Sequence, residues 1–265
     1  MVQMPLNALT PRPIEHIDAH AWACVDFISD VHLSAQCQDV YVALHHYLMH
    51  TPADAVFILG DLLEVWIGDD CLAQEHFEME QACARMLKQS SDRRPTYFMP
   101  GNRDFLIGQG FMDQTGMRLL CDPCVLETPS KRILLSHGDE LCTSDLDYQA
   151  FRREVRGSKW QADFLGRPLS ERHFLATEMR SQSQLKQSRL SKDKHAELDP
   201  SACIDWLERF NCQLLIHGHT HRPMRHELTP TLAREVLSDW DTKAAPQRGQ
   251  TLRLSNGQLQ RIEVF

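Results

Sequence analysis

No window of this sequence approaches 18 uninterrupted apolar residues, which excludes a membrane-spanning helix of ordinary length. The first twenty residues, MVQMPLNALTPRPIEHIDAH, have no basic start followed by an apolar block, so they do not read as a secretory signal and suggest a loose extension over residues 1–20. Internal repeats and low-complexity tracts are missing. Paired cysteine motifs are missing too. The nine cysteines are scattered, and Cys121-Asp122-Pro123-Cys124 is a lone CxxC without the second pair that a zinc site needs. Reduced thiols in a cytosolic protein are the simpler reading. Positive charge is also in short supply. A net charge of −8 argues against general nucleic-acid binding, a nuclease included. The deficit is uneven, however. Ala150 to Lys194 holds 11 basic and 5 acidic residues, a net of +6, which leaves −14 on the rest of the chain. A basic island on an acidic body suits a localised anionic partner.

What is present is a series of short apolar runs, each closed by polar residues: Cys24–Ser29, Ala55–Gly60, Thr96–Met99, Arg132–Ser136 and Gln213–His217. Their length and bounding turns predict buried strands. Between them, Val40–His50 and Glu75–Lys88 carry apolar residues at three-and-four spacing, and Pro200–Phe210 opens with a proline suited to a first helical turn. Met224–Leu228, Thr251–Ser255 and Arg261–Phe265 add strands, with a turn at Asn256-Gly257. The alternation implies an α/β layered fold. From 148 to 198 the rhythm breaks into a basic, Gln- and Ser-rich helical stretch that also holds Trp160, Phe164, Phe174 and Met179. This stretch is expected to be an inserted helical cap over a core formed by 21–147 and 199–265.

The apolar runs share a kind of ending. Asp30 and His32 follow the first, Asp61 the second, Asn102 the third and His137 the fourth, while His217 and His219 close the fifth. In open α/β sheets ligands bind beyond the carboxyl ends of the strands. Side-chain alternation lets Asp30 pair with His32 and His217 with His219. One such ending means little in a chain with 14 histidines, but five in succession at strand ends are a pattern. Mixed carboxylate, amide and imidazole donors suit manganese, iron or zinc. Two such ions about 3.5–4 Å apart can clamp a displacement at phosphorus. Asp61, with two oxygens and a central place, is the natural bridge.

The blocks SDVHL, GDLLEVWIGDD, GNRD, SHGDELCTSDLDYQ and HGHTHRP resemble the signature blocks of the calcineurin-like metallophosphoesterases over about Phe27–Pro223. The longer blocks are similar to those of the UDP-2,3-diacylglucosamine hydrolases of lipid A synthesis. That resemblance implies a β-sandwich core flanked by helices, a helical insertion cap and two Mn2+ ions. It places Asp30, His32 and His219 on one ion and Asn102, His137 and His217 on the other, with Asp61 between them. Asn102, Arg103, Asp145, Tyr148, Ser183 and His217 match substrate-contact positions. In the cap the match weakens: Gln187 stands where an asparagine is expected, and Lys186, Arg189, Lys192 and Lys194 are all candidate anion contacts. His221 receives no role.

Arg103 separates the chain from the many superfamily members that carry GNH. An arginine stays charged and cannot act as general acid near neutrality. An alkoxide leaving group needs that help, whereas a phosphate expelled from a pyrophosphate does not. A guanidinium there can grip the second phosphate with its planar fork. The expected catalytic set is Asp61, Asn102, Arg103 and His137. The expected reaction, by resemblance, is attack on the α-phosphorus of UDP-2,3-diacylglucosamine, giving UMP and 2,3-diacylglucosamine 1-phosphate. The implied setting is a monomer in the cytoplasm, peripheral to the inner membrane. The alternatives are a nucleotide pyrophosphatase acting on soluble substrates and a binding module that has lost its metals; the complete donor set disfavours the second.

Overall fold

Two six-stranded sheets face each other in a computed structural model of the protein, which describes residues 14–189 and 197–265. One sheet is built around β2 (Cys24–Ile28), β3 (Ala55–Leu59) and β4 (Thr96–Met99), which run parallel. It is completed by β5 (Arg118–Leu119) on one side and the hairpin β11 (Gln250–Ser255) and β12 (Gln258–Glu263) on the other. The second sheet has the order β1 (Glu15–Asp18), β6 (Cys124–Glu127), β7 (Arg132–Ser136), β8 (Leu214–His217), β10 (Ala233–Val236) and β9 (Arg225–Glu227). Between the sheets lies a core that includes Phe27, Phe57, Leu59, Leu126, Ile133, Leu135 and Ile216. The outer face of the first sheet is covered by α1 (Gln38–His50), α2 (Glu78–Ser91) and α3 (Gln109–Thr115). The second sheet is covered by α7 (Pro200–Arg209), whose N-cap Asp199 accepts the amides of Ser201 and Ala202 while Pro200 takes the first turn. The layered α/β sandwich expected from the sequence is therefore present.

Strands β2, β3 and β4 in one sheet, and β7, β8 and β10 in the other, point their carboxyl ends toward one edge of the sandwich. Between β7 and β8 the chain leaves the sheets as α4 (Leu146–Val155), α5 (Ser158–Leu165) and α6 (Leu169–Arg189). Leu146, Phe151, Leu165 and Phe174 on these helices are exposed apolar side chains.

The segment taken for a loose extension is not wholly so. Glu15–Asp18 forms β1, paired in parallel with β6, and Ile17 is buried between the sheets. Only one of its four residues is buried, so no apolar run announced it. Strand β10 was missed for the opposite reason. Its Arg234 and Glu235 are buried charges, satisfied by Glu197 on one side and by Arg225 and Arg261 on the other.

Candidate functional site

The polar residues after the strands are held by backbone hydrogen bonds between neighbouring strand exits. Asp30 N–H donates to Gly60 O at 3.1 Å, His32 N–H to Asp61 O at 3.0 Å and Gly218 N–H to His137 O at 3.0 Å. The loops approach so closely that a Cβ on Gly101 would lie 2.2 Å from Asp61 Oδ1, and one on Gly218 would lie 2.4 Å from Asp30 Oδ2. Seven described non-glycine residues have positive φ, and five of them are Asp30, His32, Asp61, His219 and His221. Each such residue stores about 1–3 kcal/mol of strain, a cost that clusters at functional sites.

The side chains meet in two groups. In the first, His221 Nε2 lies 3.3 Å from Asp30 Oδ1 and 3.3 Å from His32 Nε2. In the second, Asn102 Oδ1 lies 3.0 Å from His137 Nε2 and 2.9 Å from His219 Nδ1. Asp61 stands between them, with Oδ1 3.8 Å from His137 Nε2 and Oδ2 3.9 Å from His32 Nε2. The outer nitrogen of His137 donates to Leu59 O at 2.9 Å, which aims Nε2 at the cluster.

The donors fit divalent cations. Asp30, Asp61 and His137 are buried and their ligating atoms lie within 4.8 Å of one another. Burial opposes charge on Asp30, yet His221, His137 and His32 hold its carboxyl well below the usual range. Burial would also depress His137, but Asp61, Asp139 and Asp30 lift it to about 9. The acids thus draw a positive charge into the site. Burial takes His219 down to about 4, so its imidazole is neutral and free to donate a lone pair.

His217 does not join either group. It is the last residue of β8 and lies in the sheet between Ser136 and Val236. Its Nδ1–H donates to Gly218 O at 2.9 Å and its Nε2 accepts from Arg234 Nη1 at 3.2 Å. Burial, reinforced by that guanidinium, pushes it down to about 3. The sequence pairing of His217 with His219 assumed an extended chain past the strand. Instead the chain turns, and His219 and His221 both take left-handed conformations that aim them at the two groups. A usable signal existed in the offset. Asp30 stands two residues beyond the end of β2 and Asp61 two beyond β3; the same step from β8 gives His219.

Other supporting residues were also missed. Asp104 is fully buried and accepts the amides of Gly101 and Leu62 at 2.8 Å and those of Asp61 and Leu63 at 3.3 Å, which ties the exits of β3 and β4 together. Asp239, gripped by Arg248, lies 3.8 Å from His221 Nδ1. Asp139 accepts from Tyr148 Oη at 2.7 Å and from Arg152 Nε at 2.9 Å. Burial works against its charge, but His137, Arg152 and Arg156 hold it below the ordinary range.

Of the expected substrate contacts, Asn102, Arg103 and Tyr148 are at the cluster; the Tyr148 ring stacks on His219 at 6.0 Å. Asp145 caps α4 by accepting Tyr148 N–H. A cavity of about 260 Å3 runs beside the first group, lined by His32, Glu64, Arg103, Arg180, His221 and Trp240 among others. Arg103 Nε and Arg180 Nη1 are buried there without an acceptor. Ser183, Lys186, Gln187 and Arg189 belong to α6, but their side chains, like the whole of Lys192 and Lys194, lie outside the described residues.

Residues 25–223 match the family model for calcineurin-like phosphoesterases. The UDP-2,3-diacylglucosamine hydrolase of Aeromonas hydrophila is 45% identical over 81% of this chain and 89% of its own length. The proteins of the same description from Coxiella burnetii and Stenotrophomonas maltophilia strain K279a are 42% and 38% identical, over 81% and 87% of this chain and 88% and 94% of theirs.

Proposed function

The chain belongs to the calcineurin-like phosphoesterases and, among them, to the family of the UDP-2,3-diacylglucosamine hydrolases; from that premise we propose that it cleaves the pyrophosphate of UDP-2,3-diacylglucosamine at the α-phosphorus, releasing UMP and 2,3-diacylglucosamine 1-phosphate. The observation that carries this reading is the pair of donor groups sharing Asp61, set beside two buried guanidinium nitrogens that lack acceptors.

One metal ion would be held by Asp30, His32, His221 and Asp61, the other by Asp61, Asn102, His137 and His219. Two manganese ions are the proposed occupants, and when bound they supply Lewis acidity and an activated water. His217 is outside this set and braces Arg234. The chain's own residues do the rest. Asp61 is oriented by Arg103 N–H, which donates to Oδ1 at 2.8 Å, and by the Asp104 clamp on its loop. Arg103 then presents its guanidinium, whose Nε lies 3.9 Å from Asp61 Oδ2, to the phosphate that departs with the sugar. Because that group leaves as a phosphate, no protonated histidine is needed. Tyr148 and Arg152 hold Asp139 behind His137.

Helices α4 to α6 are the proposed cap, and their exposed apolar side chains suit acyl chains and the surface of the inner membrane. Among the described residues no helix is long and apolar enough to cross a membrane. Peripheral attachment at the cytoplasmic face, as a monomer, is the matching proposal. Comparing turnover of UDP-2,3-diacylglucosamine with that of UDP-glucosamine lacking both chains tests the lipid assignment. Strong preference for the acylated compound supports it. Equal turnover would favour a nucleotide pyrophosphatase for soluble substrates.

A further inference from the structure

Glu64 follows the loop that carries Asp61, and its place there is fixed by the backbone. Glu64 N–H donates to Leu33 O at 3.0 Å, and Leu33 pairs with Leu63 as an isolated bridge, so Glu64 rides on the same short ribbon as His32. Its two carboxylate oxygens are divided between two partners. Oε2 lies 3.2 Å from His32 Nδ1, the ring nitrogen turned away from Asp30, Asp61 and His221. Oε1 is paired with Arg180 Nη2 on α6. All three side chains are largely buried. A second tie joins the same helix to the same loop: Arg172, in the first turns of α6, donates to Ile67 O at 2.6 Å and to Asp70 Oδ1 at 2.9 Å.

We propose that Glu64 is a positioning residue that latches α6 to the metal-holding His32, so that occupancy of the His32 side of the metal centre and the seating of α6 reinforce each other. This rests on the metal reading given above and goes beyond it, because Glu64 and Arg180 are 116 residues apart and neither is among the eight donors. A carboxylate on Nδ1–H fixes the imidazole tautomer, leaves Nε2 as the lone-pair donor and raises its basicity. Arg180 draws on the same carboxylate. If α6 lifts away, Glu64 loses a cation and the freedom of its side chain grows, which loosens the ring it holds. Linkage requires the reverse effect to be equal: whatever metal affinity α6 gains for the His32 side, a bound ion returns as stability of the closed helix. Asp239 faces Nδ1 of His221 at 3.8 Å, but nothing in the cap touches it, so the coupling is specific to the His32 side.

The test uses the full chain and manganese alone. Free Mn2+ is counted by electron paramagnetic resonance during titration of the wild type, Glu64→Ala, Glu64→Gln, Arg180→Ala, Arg180→Lys and Glu64→Ala/Arg180→Ala. Hydrogen exchange over α6 is followed with and without metal. The expected result is that Glu64→Ala weakens one of two ions by about 10–100-fold, the range for removal of a residue that orients a metal-ligating histidine. The other ion should stay within a factor of about three, well short of that range. Glu64→Gln should fall between, Arg180→Ala should weaken the same ion by less, and Arg180→Lys should restore part of that loss. The double variant should be no worse than Glu64→Ala, and manganese should slow exchange in α6 of the wild type but not of Glu64→Ala. Wild-type binding of two ions, with both held as tightly by Glu64→Ala, overturns the latch and leaves the metal reading standing. Equal weakening of both ions with a lowered Tm also overturns it, since that is the signature of a merely structural role.

Discussion

Replacing His221 and His217 one at a time by alanine separates the two ways of dividing the final histidines. His221 Nε2 is 3.3 Å from both Asp30 Oδ1 and His32 Nε2, and its ring is 38% exposed. Its loss should cost little folding stability but at least the 10–100-fold in affinity that removal of a mere supporting group costs, or about 1.4–2.7 kcal/mol for one ion. His217 is fully buried and its ring accepts from Arg234. His217→Ala strands that guanidinium and opens a cavity, at a cost of about 2–4 kcal/mol. For a chain of this size each kcal/mol lowers Tm by roughly 2–4 °C. Calorimetry and metal analysis after dialysis read both quantities. The expected outcome is a Tm lowered by roughly 10 °C with two ions retained for His217→Ala, and a near-normal fold holding one ion for His221→Ala. Loss of an ion from His217→Ala, with both kept by His221→Ala, would restore the pairing expected from the sequence and refute the geometric assignment.

Asp104→Ala leaves four amides of the β3 and β4 exits without their acceptor. A loss of about 3–5 kcal/mol should follow in denaturant melts, and a loss under 1 kcal/mol would show that the clamp does not hold the loops. Chelation should lower Tm, since each ion at 100 times its Kd contributes about 2.7 kcal/mol to the folded state; an unchanged Tm contradicts the proposed centre. Arg103→Ala should reduce kcat/KM on the pyrophosphate by about 10²–10³ while retaining both ions. Arg103→His should lose pyrophosphate cleavage and gain on phosphodiesters with poor leaving groups, and unchanged pyrophosphate turnover in either variant would sink the leaving-group argument.

Much of the sandwich was legible because its inner strands are buried on both faces and therefore carry unbroken apolar runs. Cys24–Ile28, Ala55–Leu59 and Arg132–Ser136 were found nearly to the residue for that reason. The Asn256-Gly257 turn was found because both residues take positive φ, as its hairpin geometry requires. Elements that stand on pairing were hidden: β5 has two exposed residues, and β10 buries charges whose partners are far away in sequence. At the site, residues at strand ends were visible because topology brings strand ends together. The division of His217, His219 and His221 was not, because it depends on where the chain leaves the extended conformation. Asp104, Asp239 and Glu64 were not singled out either, since a carboxylate that serves a backbone amide or the far nitrogen of a histidine has no spacing rule in sequence.

The most direct test of the central claim is hydrolysis of UDP-2,3-diacylglucosamine in 18O-labelled water, first with manganese and then after its chelation, with mass analysis of both products. The account predicts metal-dependent turnover with the label in UMP. Turnover that survives chelation, or label in the acylated sugar phosphate, would contradict it.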